Sequence, residues 1–201
     1  MRIIAGTAKG RRLAAPRSRR PKGRESEGPR SGKGDIRPTA DRVREAVFDI
    51  LGEAIQGARF LDVFSGTGAV AAEALSRGAS STVLLERDRQ ALRIIQRNLE
   101  GPGFEPDRWG VLPGDALASL ARLRREERTF DIIYVDPPYA STLGAEALEE
   151  AARLLDPDGV AVLEHDARSA PPESALGELT ETRRFGDTAI TLYGPGGPRR
   201  P

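Results

Sequence analysis

A rigid polar tetrapeptide, Asp136, Pro137, Pro138 and Tyr139, follows directly after the apolar run at residues 130–135. A short run of β-branched and aromatic residues is typical of a buried parallel strand, and ligands gather at the carboxyl ends of such strands. The Asp136 carboxylate and the Pro137 carbonyl could each accept an N–H bond from an amine, the two prolines stiffen the backbone, and Tyr139 offers a flat face for a base. The pattern predicts a site that holds an exocyclic amine for alkylation. The alternative is a rigid turn that only ends a strand.

A glycine turn from Ser65 to Gly68 joins the strand-like run at residues 60–64 to an alanine-rich helical stretch. A strand, a glycine turn and a helix begin many nucleotide-binding folds, because the backbone can approach a ligand closely at the helix N-terminus. The spacing also satisfies the loose dinucleotide pattern, which leaves a nicotinamide cofactor open. Asp62 at the end of the first strand disfavours that cofactor, because a carboxylate there would repel a pyrophosphate and suits an ammonium group. S-adenosyl-L-methionine carries such a group, so the pattern favours it.

Two further acidic residues follow predicted strands. Glu86 comes twenty residues after Gly66, where an acidic side chain can accept the hydroxyls of a ribose, although a surface glutamate is the alternative. Asp115 follows the run at residues 111–114 and could bind the amino group of an adenine or cap the next helix. Both roles remain open for Asp115.

These motifs, in this order along the chain, resemble the class I S-adenosylmethionine-dependent amino-methyltransferases. Further segments at residues 1–6, 10–13, 37–45 and 185–188 narrow the resemblance to the RsmD-type methyltransferases. That family modifies the exocyclic N2 amine of a guanine in bacterial 16S ribosomal RNA. The resemblance covers nearly the whole chain, and it implies 16S ribosomal RNA or an assembling small subunit as partner, a monomer, and no metal.

The resemblance also implies roles for individual residues. Ser65 and Thr67 stand where the family more often has alanine and serine, which are mild changes, and residues 17–35 form a longer link than is usual. The residues expected to hold the target base are Asp136, Pro137, Pro138 and Tyr139. The residues expected to bind the cofactor are Thr39, Asp62, Phe64, Ser65, Gly66, Thr67, Gly68, Glu86, Arg87, Asp115 and Ala116.

The absence of cysteine limits the chemistry. The chain has 201 residues with 38% hydrophobic content, enough for one α/β domain with a full core. Without cysteine there is no disulfide, no thiolate nucleophile, no sulfur-ligated zinc and no cysteine-bound iron–sulfur cluster. Methylation of pyrimidine C5 needs a thiolate and radical methylation needs a cluster, so amine methylation remains. The lone His165 is predicted to be a strand-end residue. With no apolar run long enough to span a membrane and no signal peptide, we expect a cytoplasmic protein.

The net charge of +1 hides a strong asymmetry. Residues 1–44 hold fourteen Lys or Arg against four Asp or Glu, a balance of +10, which leaves −9 for the rest. A basic segment of this kind favours a polyanion such as RNA. Residues 17–35, which have almost no apolar side chains, are predicted to be disordered when free, and a solubilising linker is the alternative to RNA contact. The residues expected to bind RNA are Arg2, Lys9, Arg11 and Arg12, in a predicted β-hairpin, and Arg37.

Apolar periodicity predicts one α/β fold, a Rossmann-like, mostly parallel seven-stranded sheet with a C-terminal antiparallel strand. Strands are expected near residues 59–64, 82–86, 109–112, 130–135 and 159–164, with a closing hairpin at 180–185 and 188–193 and a helix capped by Thr39. The predicted division is a basic arm and linker at 1–36, a methyltransferase domain at 37–194 and a frayed tail at 195–201. An adenine methyltransferase, a protein-glutamine methyltransferase and a non-catalytic RNA-binding or assembly module remain alternatives.

Overall fold

The computed structural model describes residues 1–16, 38–138, 143–173 and 179–194, with the backbone alone at Pro38, Thr39, Leu179 and Thr180. Several predictions concern residues outside these ranges: the linker at 17–35, Arg37, Tyr139 and the tail at 195–201. The predicted domain boundaries stay predictions.

The described residues form seven strands and five α-helices. The strands are β1 (Arg59–Val63), β2 (Ser81–Glu86), β3 (Trp109–Pro113), β4 (Phe130–Val135), β5 (Leu155–Asp166), β6 (Leu179–Phe185) and β7 (Thr188–Tyr193). The helices are α1 (Pro38–Leu51), α2 (Ala69–Ser76), α3 (Arg89–Glu100), α4 (Ala116–Arg125) and α5 (Leu143–Ala152). None of the described helices is long and apolar enough to cross a membrane. Because α1 already begins at Pro38, Thr39 lies in its first turn, and the prediction that Thr39 caps the helix is wrong.

All seven strands belong to one sheet in the order β3-β2-β1-β4-β5-β7-β6. The pairs from β3 through β5 are parallel, and β7 runs antiparallel to both of its neighbours. This confirms the predicted fold class. The chain leaves β1 toward β2 on one side and returns to β4 on the other, so the strand order reverses between β1 and β4. Ligands of open α/β sheets bind outside the carboxyl ends of the strands at such a switch point.

Strand β5 differs from its prediction. It begins at Leu155 rather than near residue 159, because Leu155 pairs with Phe130 before the register shifts and Val160 pairs with Ile132. Residues 156–159 therefore form an irregularity in the strand, and their Asp-Pro-Asp-Gly sequence carries no strand signal. Beyond the shift, the pairing of β4 with β5 is regular up to the pair of Val135 and Leu163. This register determines which residues are adjacent at the carboxyl ends of the two strands.

Alternating residues of the strands feed two apolar cores. Leu61 and Val63 face α4 and α5, whereas Phe60 and Ile132 face α1. A third cluster joins α2 and α3 to the N-terminal residues. The sheet is thus covered on both faces, which is the environment that its apolar strands require.

Residues 1–13 form the predicted hairpin, and we call them the arm. Its two sides are joined by backbone hydrogen bonds. The Ile3 amide donates to the Arg11 carbonyl (3.0 Å), and the Leu13 amide donates to the Met1 carbonyl (3.1 Å). Ile3 is fully buried and Leu13 nearly so, against α2 and α3. The arm is therefore packed into the body of the fold.

A buried charge fastens the arm to α2. Glu73 is fully buried, and its carboxylate accepts the amides of Ile4 (2.8 Å) and Ala5 (3.0 Å) and the Nε of Arg77 (2.8 Å). Gly6, at φ +81°, passes so close to Ser76 that a Cβ on Gly6 would lie 1.8 Å from the Ser76 carbonyl oxygen. The position of the arm on α2 is thus set by the hydrogen bonds from its backbone amides to Glu73 and by the close approach that only glycine allows at position 6.

Candidate active site

The turn after β1 is rigid and strained. Phe64 has φ +65°, a value that is costly for a non-glycine residue and that clusters at ligand sites. The Ser65 hydroxyl donates to the Asp62 carbonyl (2.7 Å), and the Gly68 amide donates to the Ser65 carbonyl (2.8 Å). Gly68, at φ +70°, packs against Ile95 and Leu84, where a Cβ would approach each to 3.2 Å. The predicted turn is therefore held in place by its own hydrogen bonds and by the buried side chains on which Gly68 packs.

Asn98 of α3 links this turn to the arm. Its amide nitrogen donates to the Thr67 carbonyl (2.8 Å) and to the Ala14 carbonyl (3.1 Å), and its amide oxygen accepts the Ala14 amide (2.6 Å). This role was not predicted, since Asn98 lies within the apolar helical pattern of Ile95 and Leu99 and belongs to no recognised motif. One buried side-chain amide thus holds both Ala14, the residue after the arm, and the glycine turn in place.

Asp62 is buried at the end of β1, with 1% of its surface exposed. Its Oδ2 atom has no hydrogen-bond partner among the described residues. Burial, together with the nearby charge of Glu86, raises the pKa of Asp62 to about 7. A buried acceptor without a donor is costly, so this position is suited to a ligand that brings a cationic or N–H group.

Glu86 is oriented by backbone amides. Its Oε2 accepts the Gly66 amide (2.8 Å), and its Oε1 accepts the amides of Arg87 (2.8 Å) and Asp88 (2.7 Å). A carboxylate has about four acceptor positions, so one of them remains for a ligand. The sequence predicts that Glu86 accepts both hydroxyls of a ribose. For that, one of its three hydrogen bonds from backbone amides would have to be replaced by a hydrogen bond from a hydroxyl.

A cavity of about 270 Å³ opens at the carboxyl ends of the strands. Asp115 lies at its edge and also caps α4, accepting the Ala118 amide at 3.1 Å, so the predicted capping role is observed and the adenine role stays a prediction. The cavity brings together eight of the predicted site residues: Phe64, Glu86, Arg87, Asp115, Ala116, Asp136, Pro137 and Pro138. The other predicted cofactor residues with described side chains do not line the cavity and belong to β1 and the glycine turn: Asp62, Ser65, Gly66, Thr67 and Gly68.

Asp136 lies where β4 ends, and its amide donates to the Val63 carbonyl of β1 at 3.3 Å. Burial raises the pKa of Asp136 well above its usual value, and the nearby charges of Glu164 and Asp62 raise it further. The pattern of an acid after each apolar strand therefore continues across the switch point.

Glu164 is a third carboxylate near the strand ends, beside Asp136 in register, and it was not among the predicted site residues. The Tyr134 hydroxyl donates to its Oε2 at 2.5 Å, and burial raises its pKa. An acidic residue directly after the apolar run at 160–163 was the signal that could have found it. The neighbouring His165 lies inside β5, with its Nε2 at 2.9 Å from the Thr191 hydroxyl, which agrees with its prediction as a strand residue.

The predicted RNA-binding side chains of the arm all point to solvent. Arg2, Lys9, Arg11 and Arg12 are exposed, and none of them forms an ion pair with an acid in the described ranges. Within the same ranges, no group of three or more His, Asp or Glu residues could hold a metal ion. Among the described residues, the arm therefore presents positive charge without an acidic partner, on a fixed backbone.

The reversed strand order, the antiparallel β7 and the acids at the strand ends together define a methyltransferase of class I. Residues 1–194 match the family model described as Conserved hypothetical protein 95, the RsmD family, and the chain belongs to that family. It is 32% identical over 197 residues to the putative rRNA methyltransferase YlbH of Bacillus subtilis, covering 96% of this chain and 98% of the relative. It is 35% identical over 159 residues to ribosomal RNA small subunit methyltransferase D of Escherichia coli K12, covering 79% and 68%. The solved putative methyltransferase yhhF from Escherichia coli superposes with a TM-score of 0.78 at 28% identity, covering 98% of each chain.

Proposed function

We propose that the chain transfers a methyl group from S-adenosyl-L-methionine to the exocyclic N2 amine of a guanine in 16S ribosomal RNA. The observation that carries the proposal is the pair of acids, the buried Asp62 and the partly buried Asp136, at the adjoining ends of β1 and β4 in a chain of this family. Relatives named as methyltransferases of small-subunit ribosomal RNA support the substrate.

The residues of the first half of the sheet suit the cofactor. The unpartnered Oδ2 of Asp62 would take its ammonium group, the free acceptor position of Glu86 a ribose hydroxyl, and Asp115 the adenine amino group. Phe64 and Ala116 supply apolar wall to the same cavity. When bound, the cofactor supplies an electrophilic methyl group on a sulfonium.

The residues after β4 suit the acceptor amine. The Asp136 carboxylate and the Pro137 carbonyl would accept the two N–H bonds of the amine and turn its lone pair toward the methyl group. The amine nitrogen would then form a bond to the methyl carbon as the carbon–sulfur bond breaks, and the Asp136 carboxylate would take the proton that the amine releases. Positioning of this kind is worth roughly 7 to 11 kcal/mol in well-aligned systems. Tyr139 is proposed as the surface on which the base stacks.

The arm suits the RNA. A base must leave its stack to reach a buried site, which costs roughly a few kcal/mol, so the enzyme needs affinity from elsewhere in the RNA. Arg2, Lys9, Arg11 and Arg12 would supply it by neutralising phosphates, with Arg37 as a further proposed contact. Ala14, the residue after the arm, adjoins the glycine turn through Asn98, so the open end of the arm, with Arg2 and Arg12, lies nearest to the proposed cofactor site.

Replacing Asp62 with asparagine separates its ligand role from its structural role. The pKa of Asp62 is raised from 3.8 to about 7, so stability falls as pH rises through that interval, where the unfolded chain is already ionised. Because asparagine does not ionise, Asp62→Asn removes this pH-dependent loss of folding stability. At pH 8 we expect a free energy of unfolding, without cofactor, that is unchanged or higher. We expect cofactor affinity to fall at least about tenfold, because a charge-assisted bond is lost. Denaturant unfolding and calorimetric titration measure the two quantities, and unchanged cofactor affinity would remove Asp62 from the site.

The proposed substrate is tested by methyl transfer in vitro. The purified chain is incubated with S-adenosylmethionine labelled in its methyl group and, in separate reactions, with small-subunit RNA, small-subunit particles and large-subunit RNA, all lacking modification. We expect label in the small-subunit reactions and at most background label in the large-subunit reaction. Equal labelling of both RNAs, or of neither, would contradict the proposal.

A further inference from the structure

Three carboxylates lie on one face of the sheet at the ends of three adjacent strands. Asp62 pairs in register with Tyr134, and Val135 with Leu163, so the next position places Asp136 beside Glu164. Neighbours in register on parallel strands point to the same face, and residues two apart on one strand do so as well. Asp62, Tyr134, Asp136 and Glu164 therefore share the face that is covered by α1.

No described Lys, Arg or His neutralises this group. Neither Asp136 nor Glu164 forms an ion pair within the described ranges, and the buried Oδ2 of Asp62 has no partner there. Buried acids without cations are costly unless N–H or O–H donors satisfy them. The Tyr134 hydroxyl supplies one donor to Glu164. The buried Oδ2 of Asp62 needs a donor from a ligand, whereas the partly exposed carboxylates of Asp136 and Glu164 are accessible to one. The proposed donors are the cofactor for Asp62 and the amine for Asp136.

The edge of guanine that carries the N2 amine presents donors in a row. Its amine offers two N–H bonds, and the adjacent ring atom N1 carries a third. If the amine of a guanine is bound to Asp136, the adjacent ring atom N1 would approach the neighbouring position on β5, which is Glu164. An adenine bound by its amine would instead bring an unprotonated ring nitrogen, whose lone pair faces the Glu164 carboxylate.

We infer that Glu164 accepts the N1–H bond of the target guanine and is the residue that makes the site specific for guanine over adenine. This inference rests on the proposed function, since it places the guanine amine on Asp136. Tyr134 is a positioning residue: its hydroxyl occupies Oε2 and directs the other oxygen, Oε1, away from the tyrosine. Buried polar groups left unpaired are what allow such sites to reject analogues strongly.

The test compares RNA carrying guanine at the modified position with RNA carrying 2-aminopurine there. 2-Aminopurine keeps the amine, but its N1 has no proton. The wild-type enzyme is expected to prefer guanine, as measured by kcat/KM for methyl transfer. In Glu164→Gln the amide can donate to the bare N1, so the preference is expected to shrink at least about tenfold. The loss of guanine O6 is common to all variants and cancels in this comparison. The matched control is Glu105→Gln, an exposed glutamate whose change should leave the preference unaltered.

Each outcome decides the inference. A smaller preference in Glu164→Gln alone supports it. An equal fall of kcat/KM for both RNAs would show that Glu164 only maintains the structure, and an unchanged preference would show that it does not contact N1; either result overturns the inference while the proposed function stands. Failure of the wild-type enzyme to methylate the guanine RNA would instead overturn the proposed function, and this inference with it.

Discussion

Replacing Asp136 with alanine is expected to lower the rate of methyl transfer at least about a hundredfold, while cofactor affinity changes by less than about threefold. The carboxylate would hold the amine and offset the positive charge that develops on its nitrogen, and loss of one such group from a preorganised site typically costs a factor of about 10² to 10³. The Asp136 backbone stays tied to Val63 through its amide, so the local chain path persists. Because burial raises the pKa of this acid well above its usual value, its removal should not destabilise the fold near neutral pH.

Asp136→Asn is the matched control for this change. Asparagine keeps one oxygen that can accept an N–H bond but loses the charge, so we expect an activity between those of the wild type and the alanine variant. Single-turnover kinetics at saturating cofactor measure the chemical step, and calorimetric titration measures cofactor affinity. A parallel loss of both quantities in Asp136→Ala would place Asp136 on the cofactor side of the site and contradict the proposed role.

Replacing the four exposed cations of the arm with glutamine is expected to weaken RNA binding at least about tenfold near physiological salt. Each phosphate contact to single-stranded RNA contributes about 0.7 to the slope of log K against log salt, so the slope should fall by up to about three. Arg2, Lys9, Arg11 and Arg12 are exposed, and the arm is held by its backbone and by Ile3 and Leu13, so the fold should be unaffected. Filter binding or fluorescence anisotropy over a range of salt concentrations measures the slope.

Two double variants that lose the same net charge serve as a control for charge. Arg11→Gln with Arg12→Gln removes two adjacent cations from the arm, and Arg124→Gln with Arg125→Gln removes two adjacent exposed cations from the far end of α4. We expect the slope to fall only for the arm pair, and equal slopes for the two pairs would remove the arm from the RNA interface. Deletion of residues 1–36 is a poor substitute, because it would also uncover the apolar surface that Ile3 and Leu13 bury.

The elements that the sequence predicts well are those set by local pattern. The apolar runs before Asp62, Glu86 and Asp136 are strands, and each acid lies at or directly after a strand end, as expected. The bulge at residues 156–159 was not predicted, because Asp, Pro and Gly there read as a turn although the strand continues through them.

The relations that the sequence could not provide are those between distant segments. Glu164 is unremarkable until the register of β4 and β5 places it beside Asp136. The cations of the arm indicate a basic segment that serves RNA, yet Ile3 and Leu13 pack on the alanine-rich face of α2. Asn98 likewise gains its role only because the arm ends beside the glycine turn. Such contacts depend on tertiary packing, which local periodicity does not encode.

The modified nucleoside itself tests the central claim most directly. Small-subunit RNA labelled by the enzyme is digested to nucleosides, and the labelled product is identified by chromatography with mass spectrometry. We expect N2-methylguanosine as the labelled product, formed by the wild-type enzyme and at most at trace level by Asp136→Ala. Label in N6-methyladenosine, in a methylated ring carbon or in protein would contradict it.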